Sequence, residues 1–144
     1  VIVPDANLLL YAYDSDSPFH GRAKAWWQEC LSGQEVVGLT HPTLFAFVRI
    51  STNAKVYARP MTLAEAAGHM RSWLARSVSR VLEATADHTE KVIGLLEAGG
   101  GTAGNLVTDA QIAAFAQSYR AVVHTADRDF QRFPDVHCHF PLDE

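Results

Sequence analysis

Val1-Ile2-Val3-Pro4-Asp5 decides the fold: three β-branched residues stopped by a proline and an acid. So short an apolar run suits a strand buried on both faces of a parallel sheet, and Pro4-Asp5 marks where it releases the chain at the sheet edge. Asp5 therefore stands at the C-terminal end of a strand. Further strands are read at Val36 to Leu39, around Arg80 to Leu82, at Ala121 to His124 and at Val136 to Phe140. Between them lie segments whose apolar residues recur at helical spacing.

Ser17-Pro18 offers a capping hydroxyl ahead of a proline at the first helical position. Phe19, Ala23, Trp26, Trp27, Cys30 and Leu31 follow on one face until Ser32-Gly33 stops them. Thr43 to Ile50 is read as helical, and Asn53 and Pro60 bound a polar connection. Thr62 with Glu65 forms a capping box for a helix carrying Leu63, Ala66, Ala67, Met70, Trp73 and Leu74, and Thr108 with Gln111 forms one for Ile112, Ala113, Phe115, Ala116 and Tyr119. Asp87 with Glu90 opens a helix that ends in Gly99-Gly100-Gly101, a stop rather than a phosphate cradle because no Lys-Ser/Thr pair follows it. Strands alternating with helices of roughly 10 to 15 residues predict one α/β domain over residues 1–144, its central parallel sheet covered on both faces.

The 144 residues are 48% hydrophobic and 19% charged, which supplies a core and excludes a disordered chain. Twelve Lys and Arg against sixteen Asp and Glu give a net charge of −4, which excludes a polycation that grips nucleic acid by bulk charge. The longest apolar run, Leu8 to Tyr13, falls far short of the roughly 20 residues that span a bilayer. No basic n-region precedes an apolar h-region, so no secretory leader is expected. Cys30 and Cys138 lie far apart with no metal or redox spacing, and a reduced cytoplasmic setting is the expectation.

Ligands of a parallel α/β sheet bind where the C-terminal strand ends open into a crevice. Asp5 ends the first strand, Asp127 and Asp129 follow the strand at Ala121 to His124, and Asp109 joins them if its helix starts at the same edge. Two carboxylates about 5 Å apart repel by roughly 3 kcal/mol at an effective dielectric near 20, so a cluster of three or four calls for a cation. Oxygen donors without His or Cys select Mg²⁺ or Mn²⁺, which can activate water for in-line attack on a phosphodiester. Each acid also has a plain reading. Asp109 suits the positive end of a helix dipole, Asp127 and Asp129 suit a turn, and Asp5-Ala6-Asn7 suits a helix cap. Those readings leave unexplained why acids recur at sheet-edge positions far apart in sequence.

Three blocks occur in order: Asp5-Ala6-Asn7-Leu8-Leu9-Leu10-Tyr11-Ala12, then Asn105-Leu106-Val107-Thr108-Asp109-Ala110-Gln111-Ile112-Ala113-Ala114-Phe115-Ala116, then Thr125-Ala126-Asp127-Arg128-Asp129-Phe130. They resemble the signature blocks of PIN-domain ribonucleases, and their order, spacing and the chain length resemble most the VapC toxins of bacterial toxin–antitoxin pairs. The resemblance implies a three-layer α/β/α fold with a mostly parallel sheet and a metal-dependent endoribonuclease, with a cognate VapB-like antitoxin as partner. It also implies a homodimer and toxin–antitoxin hetero-oligomers. By the resemblance Asp5, Asp109 and Asp127 are catalytic and bind Mg²⁺ or Mn²⁺, Asp129 is a supporting or alternate ligand, and Asn7 and Thr125 shape the pocket. The family commonly carries a Glu on the helix after the second strand, where this chain has Phe47, and no acid occurs between Glu35 and Glu65. That departure leaves one ion as the safer expectation and motivates an alternative, a degenerate PIN domain that binds RNA or antitoxin without cleaving.

Residues 49–80 hold Arg49, Lys55, Arg59, Arg71, Arg76 and Arg80 against Glu65 alone, a balance of +5 in an otherwise acidic chain. Such a basic stretch suits the RNA backbone, although it equally suits a solvated face or a surface turned to antitoxin. Tyr57 and Trp73 offer stacking surfaces for bases, with Trp73 read in preference as core because it lies on the apolar stripe of its helix. His137-Cys138-His139 places two imidazoles on one side of a strand, too few ligands for a structural zinc, and is read as a surface edge strand.

Overall fold

The computed structural model describes residues 1–100 and 106–143, so Gly101 and Asn105, named above, lie outside the described residues. Five strands, β1 (Ile2–Pro4), β2 (Val37–Leu39), β3 (Ser79–Val81), β4 (Val122–His124) and β5 (His137–His139), form one sheet in the order β3-β2-β1-β4-β5. Every pairing is parallel, with Ile2 opposite Val37 on one side and Val122 on the other. The helices are α1 (Ala6–Tyr13), α2 (His20–Ser32), α3 (His41–Ser51), α4 (Leu63–Leu74), α5 (His88–Ala98) and α6 (Leu106–Tyr119).

Strand alternation divides the apolar residues between two cores. Ile2, Val37 and Leu39 pack with Leu8, Leu9, Trp27, Phe47 and Trp73 from α1 to α4. Val3 and Val123 pack with Leu95, Ile112, Phe115 and Phe130 on the α5–α6 side. Gly38 is required where β2 meets the second layer, because a Cβ there would lie 2.6 Å from the Leu82 side chain. This is the three-layer α/β/α arrangement expected from the sequence.

Capping differs in detail from expectation. The Thr62–Glu65 box forms with both reciprocal bonds, and α2 stops at Gly33. Ser17-Pro18, expected to cap α2, instead makes a turn in which the Ser17 hydroxyl accepts the Phe19 N–H, and the helix starts at His20 without a side-chain cap. Thr108 does not cap α6, which already runs from Leu106 and leaves both Thr108 and Asp109 within its first turn. Asp87 sits at the N-cap of α5 but makes no capping bond, its carboxylate being engaged by Thr85 and Lys91. The cap of α3 is Thr40, with Pro42 in the first turn, so that helix begins ahead of Thr43.

Trp73 is core and no stacking platform. It is fully buried, its indole N–H donates to the Tyr13 hydroxyl at 2.7 Å, and its ring meets Phe47 edge-on at 4.8 Å. Phe47 is likewise fully buried and also contacts the Tyr13 ring. The position where the resemblance leads one to expect an acid thus faces an aromatic cluster. The His137–His139 segment is the edge strand β5, as read from the sequence.

Candidate active site

Asp5 is the first residue after β1 and the N-cap of α1, so both readings of it hold at once: strand end and helix cap. One of its carboxylate oxygens accepts the Ala6 N–H at 2.7 Å and the other accepts the Thr125 hydroxyl at 2.7 Å. Its own N–H donates to the His124 carbonyl at 2.9 Å, which locks the end of β1 to the end of β4. Thr125 is fully buried and accepts the Asp127 N–H at 2.9 Å, and Asp127 in turn caps a 3₁₀ helix, Arg128–Arg132, by accepting the Asp129 N–H at 2.9 Å. Asn7 accepts the Ala126 N–H at 3.4 Å from the α1 side. Thr43 of α3 donates to the Pro4 carbonyl at 3.1 Å and steadies the strand end from a third element. A chain of hydrogen bonds therefore runs Asp5–Thr125–Asp127–Asp129 across two strand ends.

Asp109 reaches the same place from the first turn of α6. Burial pushes its carboxyl up to about 7, and the charges of Asp5, Asp127 and Asp129 push in the same direction. Asp5 is pushed up to about 6, chiefly by burial and partly by Asp127, against the opposing bonds from Thr125 and Ala6. No basic side chain is among the charges that act on either acid. All four acids named from the sequence are thus electrostatic neighbours, with Asn7 and Thr125 holding the loop between them.

Among the described residues no three His, Cys, Asp or Glu side chains converge closely enough to share an ion as placed. The donor set nevertheless fits a hard divalent cation. Its donors are carboxylate oxygens, and each oxygen of Asp5 keeps a lone pair beyond the one bond it accepts. No Lys or Arg is among the charges that act on Asp5 or Asp109, while Arg132 Nε lies 3.8 Å from Asp129 in an exposed pair.

The basic residues behave unevenly. Arg49, Lys55 and Arg71 are exposed. Arg59 lies 3.9 Å from Asp16 in an exposed pair, and Arg76 donates to the Leu31 carbonyl at 3.2 Å. Tyr57 is half-buried in a small cavity with Tyr13, Asp14 and Arg59. Away from the acids, in a cavity it shares with Ile2, Glu35 and His139, His124 accepts the Trp26 indole N–H on Nδ1 at 2.9 Å, a bond with no signal in the sequence, and burial, with His139 adding, holds that imidazole down to about 4. Since an indole N–H can only donate, His124 Nδ1 is the acceptor and the ring is neutral.

A sheet-edge cluster of acids in this topology defines a PIN domain, and the PIN-domain family model matches residues 2–136; the chain belongs to that family. Within it the chain belongs with the VapC ribonucleases. It is 44% identical over its whole length, and the relative's, to Ribonuclease VapC33 of Mycobacterium tuberculosis, and 36% identical over 93% of its length, and 92% of the relative's, to Ribonuclease VapC37 of the same organism. Among solved structures the fold resembles M. tuberculosis VapC20, a toxin that cleaves the sarcin-ricin loop, with a TM-score of 0.68 at 22% identity over 95% of this chain and 99% of that one. It also resembles VapBC2 of Rickettsia felis bound to a promoter DNA fragment, with a TM-score of 0.68 at 18% identity and 96% of each chain covered.

Proposed function

We propose that this protein is a divalent-metal-dependent endoribonuclease, the toxin of a toxin–antitoxin pair, that hydrolyses RNA phosphodiester bonds and is held inactive by a cognate antitoxin. The observation that carries the reading is the bonded chain Asp5–Thr125–Asp127–Asp129 with Asp109 brought against it from α6. Asp5, Asp109 and Asp127 would hold Mg²⁺ or Mn²⁺, with Asp129 in support. The ion would supply an activated water and charge neutralisation for the attacked phosphate.

The chain's own residues set the stage for that chemistry. Thr125 fixes the Asp5 carboxylate with its hydroxyl hydrogen and receives the Asp127 N–H on the same oxygen, so one side chain sets the distance between two acids. Asn7 pins the loop at Ala126. Burial of Asp5 keeps bulk water from its inner face. Exposed Arg49, Lys55 and Arg71 supply cations for the RNA backbone, and none of them is among the charges that act on Asp5 or Asp109. Relatives of this fold that are solved with antitoxin support an antitoxin partner and a hetero-oligomer. Free Cys30 and Cys138 suit the cytoplasm.

A binding-only domain is the second reading, favoured by the apolar surroundings of Phe47. One experiment separates them. Purified protein is incubated with defined RNAs in Mg²⁺ or Mn²⁺ and in chelator, beside the Asp5→Ala variant. Cleavage in metal that vanishes with chelator or substitution supports the nuclease; full cleavage by Asp5→Ala would sink the mechanism, and RNA binding without cleavage by the unaltered chain would favour the second reading.

A further inference from the structure

Arg128 lies between Asp127 and Asp129, yet its guanidinium does not neutralise either of them. It stands 3.8 Å over the Phe140 ring and pairs with Asp143. Both partners belong to the C-terminal segment that follows β5. That segment is itself anchored: Pro141 and Leu142 are buried, Leu142 in the same core as Leu8 and Trp27, the Asp143 N–H donates to the Phe140 carbonyl at 3.1 Å, and Arg22 of α2 donates to the Leu142 carbonyl at 2.7 Å. At the other end of the loop, the Thr125 N–H donates to the His139 carbonyl at 3.0 Å.

We propose that residues 140–143 are a strap for the acidic loop, with Arg128 and Asp143 as positioning residues for Asp127 and Asp129. The strap does two things. It fixes the 3₁₀ helix that Asp127 caps, and it draws off the arginine that stands between the two acids in the chain, so that of the two arginines of that helix Arg132 alone stays beside an acid, 3.8 Å from Asp129. Left unrestrained, a guanidinium flanked by two carboxylates would fold back on them and compete with a divalent ion for their oxygens. The ion pair alone is solvent-exposed and weak, but the ring contact and the buried Pro141-Leu142 anchor give the arginine a fixed address. The role of these residues in cleavage rests on the nuclease reading, whereas their hold on the loop does not.

The test is Asp143→Ala, Asp143→Glu, Arg128→Ala and the Arg128→Ala/Asp143→Ala double variant in the full chain. The first readout, made without metal, is amide hydrogen exchange at Asp129 and Phe130, whose N–H groups bond to the Asp127 side chain and carbonyl. Asp143→Ala speeds that exchange by roughly three- to tenfold with an unchanged melting temperature, Asp143→Glu restores it, and the double variant is no worse than either single one. The second readout is Mn²⁺ affinity, which falls several-fold in Asp143→Ala but less in Arg128→Ala, where no freed cation competes. In cleavage kcat falls while KM for RNA holds. Unchanged exchange in Asp143→Ala overturns the strap, as does a rise in KM confined to Arg128→Ala, which would make Arg128 an RNA contact. If the unaltered chain cleaves no RNA, the nuclease reading fails while the exchange result still decides the strap.

Discussion

Asp109→Asn should make the metal-free protein more stable while destroying its function. The native carboxyl is pushed up to about 7 from an ordinary 3.8. Below 3.8 both folded and unfolded chains hold the proton and nothing is lost. Between 3.8 and 7 the folded chain keeps a proton that the unfolded chain has released, so stability falls as pH rises, and above 7 the penalty is complete. At 1.36 kcal/mol per pK unit the shift is worth about 4 kcal/mol, and screening of a half-buried group cuts this to about 2 kcal/mol. Asparagine keeps the shape and carries no charge. Urea unfolding in chelator at pH 8 should therefore give Asp109→Asn an advantage of about 2 kcal/mol that shrinks to nothing near pH 4. Adding Mn²⁺ at about 100 times its dissociation constant should then stabilise the unaltered chain by roughly 2.7 kcal/mol and the variant by much less. A variant that is no more stable than the unaltered chain at pH 8, or that gains as much from Mn²⁺, would refute the placement of Asp109 among the other acids.

Thr125→Val removes the hydroxyl that ties Asp5 to Asp127 and should cost about 1 to 3 kcal/mol in urea unfolding, with a larger loss in cleavage rate than in RNA affinity. Phe47→Glu, which would restore the acid expected at that position, should destabilise by roughly 3 to 5 kcal/mol in the same assay, because it empties an aromatic site and buries a carboxylate against Trp73; a folded variant that binds a second ion would contradict this. His124 is held down to about 4. Its contribution to stability is complete above the unfolded value of 6.5 and is lost as pH falls toward 4, by up to about 2 kcal/mol after allowance for partial exposure. His124→Gln, whose carbonyl can still accept from Trp26, should lack that loss when unfolding is compared at pH 7.5 and pH 5.

The centre of the sheet was readable because β1, β2 and β4 are largely apolar and end at polar or turn residues, whereas the edge strands β3 and β5 carry Arg80, His137 and His139. Val1-Ile2-Val3 has nowhere to go but between two layers, and Pro4-Asp5 then fixes which end carries chemistry. The acids were readable for the same reason, since Asp5 and Asp127 stand just past strand ends that the parallel ladder must align. Helix starts were less so. Ser17-Pro18 carries a capping pattern, but the same two residues make a turn, and local hydrogen bonding alone does not choose between them. Thr108-Gln111 matches a capping box inside a helix that begins a turn earlier, because Leu106 is drawn into the α5–α6 core and carries the helix start with it. The Trp26–His124 bond and the strap on Arg128 were out of reach, since the first joins residues far apart in the chain and the second joins Arg128 to Phe140 and Asp143 through side chains with no distinguishing spacing.

Phe47 bears on how many ions the site can hold. A carboxylate projecting from α3 would have to leave the cluster of Tyr13, Trp73 and Phe47, whose rings meet at 4.8 to 5.9 Å. That cluster also uses the Tyr13 hydroxyl to satisfy the buried indole of Trp73, so opening it would strand a polar group as well as a cavity. The α3 helix instead contributes Thr43, which bonds the Pro4 carbonyl and acts on the site only through the backbone of β1. The carboxylates then come from the end of β1, the first turn of α6 and the loop after β4, with none from α3. On the proposed reading that set would hold one ion, and a second would have to arrive with the RNA. The rate of cleavage should accordingly saturate with free Mn²⁺ along a simple hyperbola at low RNA and turn sigmoidal only if a second protein-held ion exists; a Hill coefficient near two at every RNA concentration would refute the single-ion site.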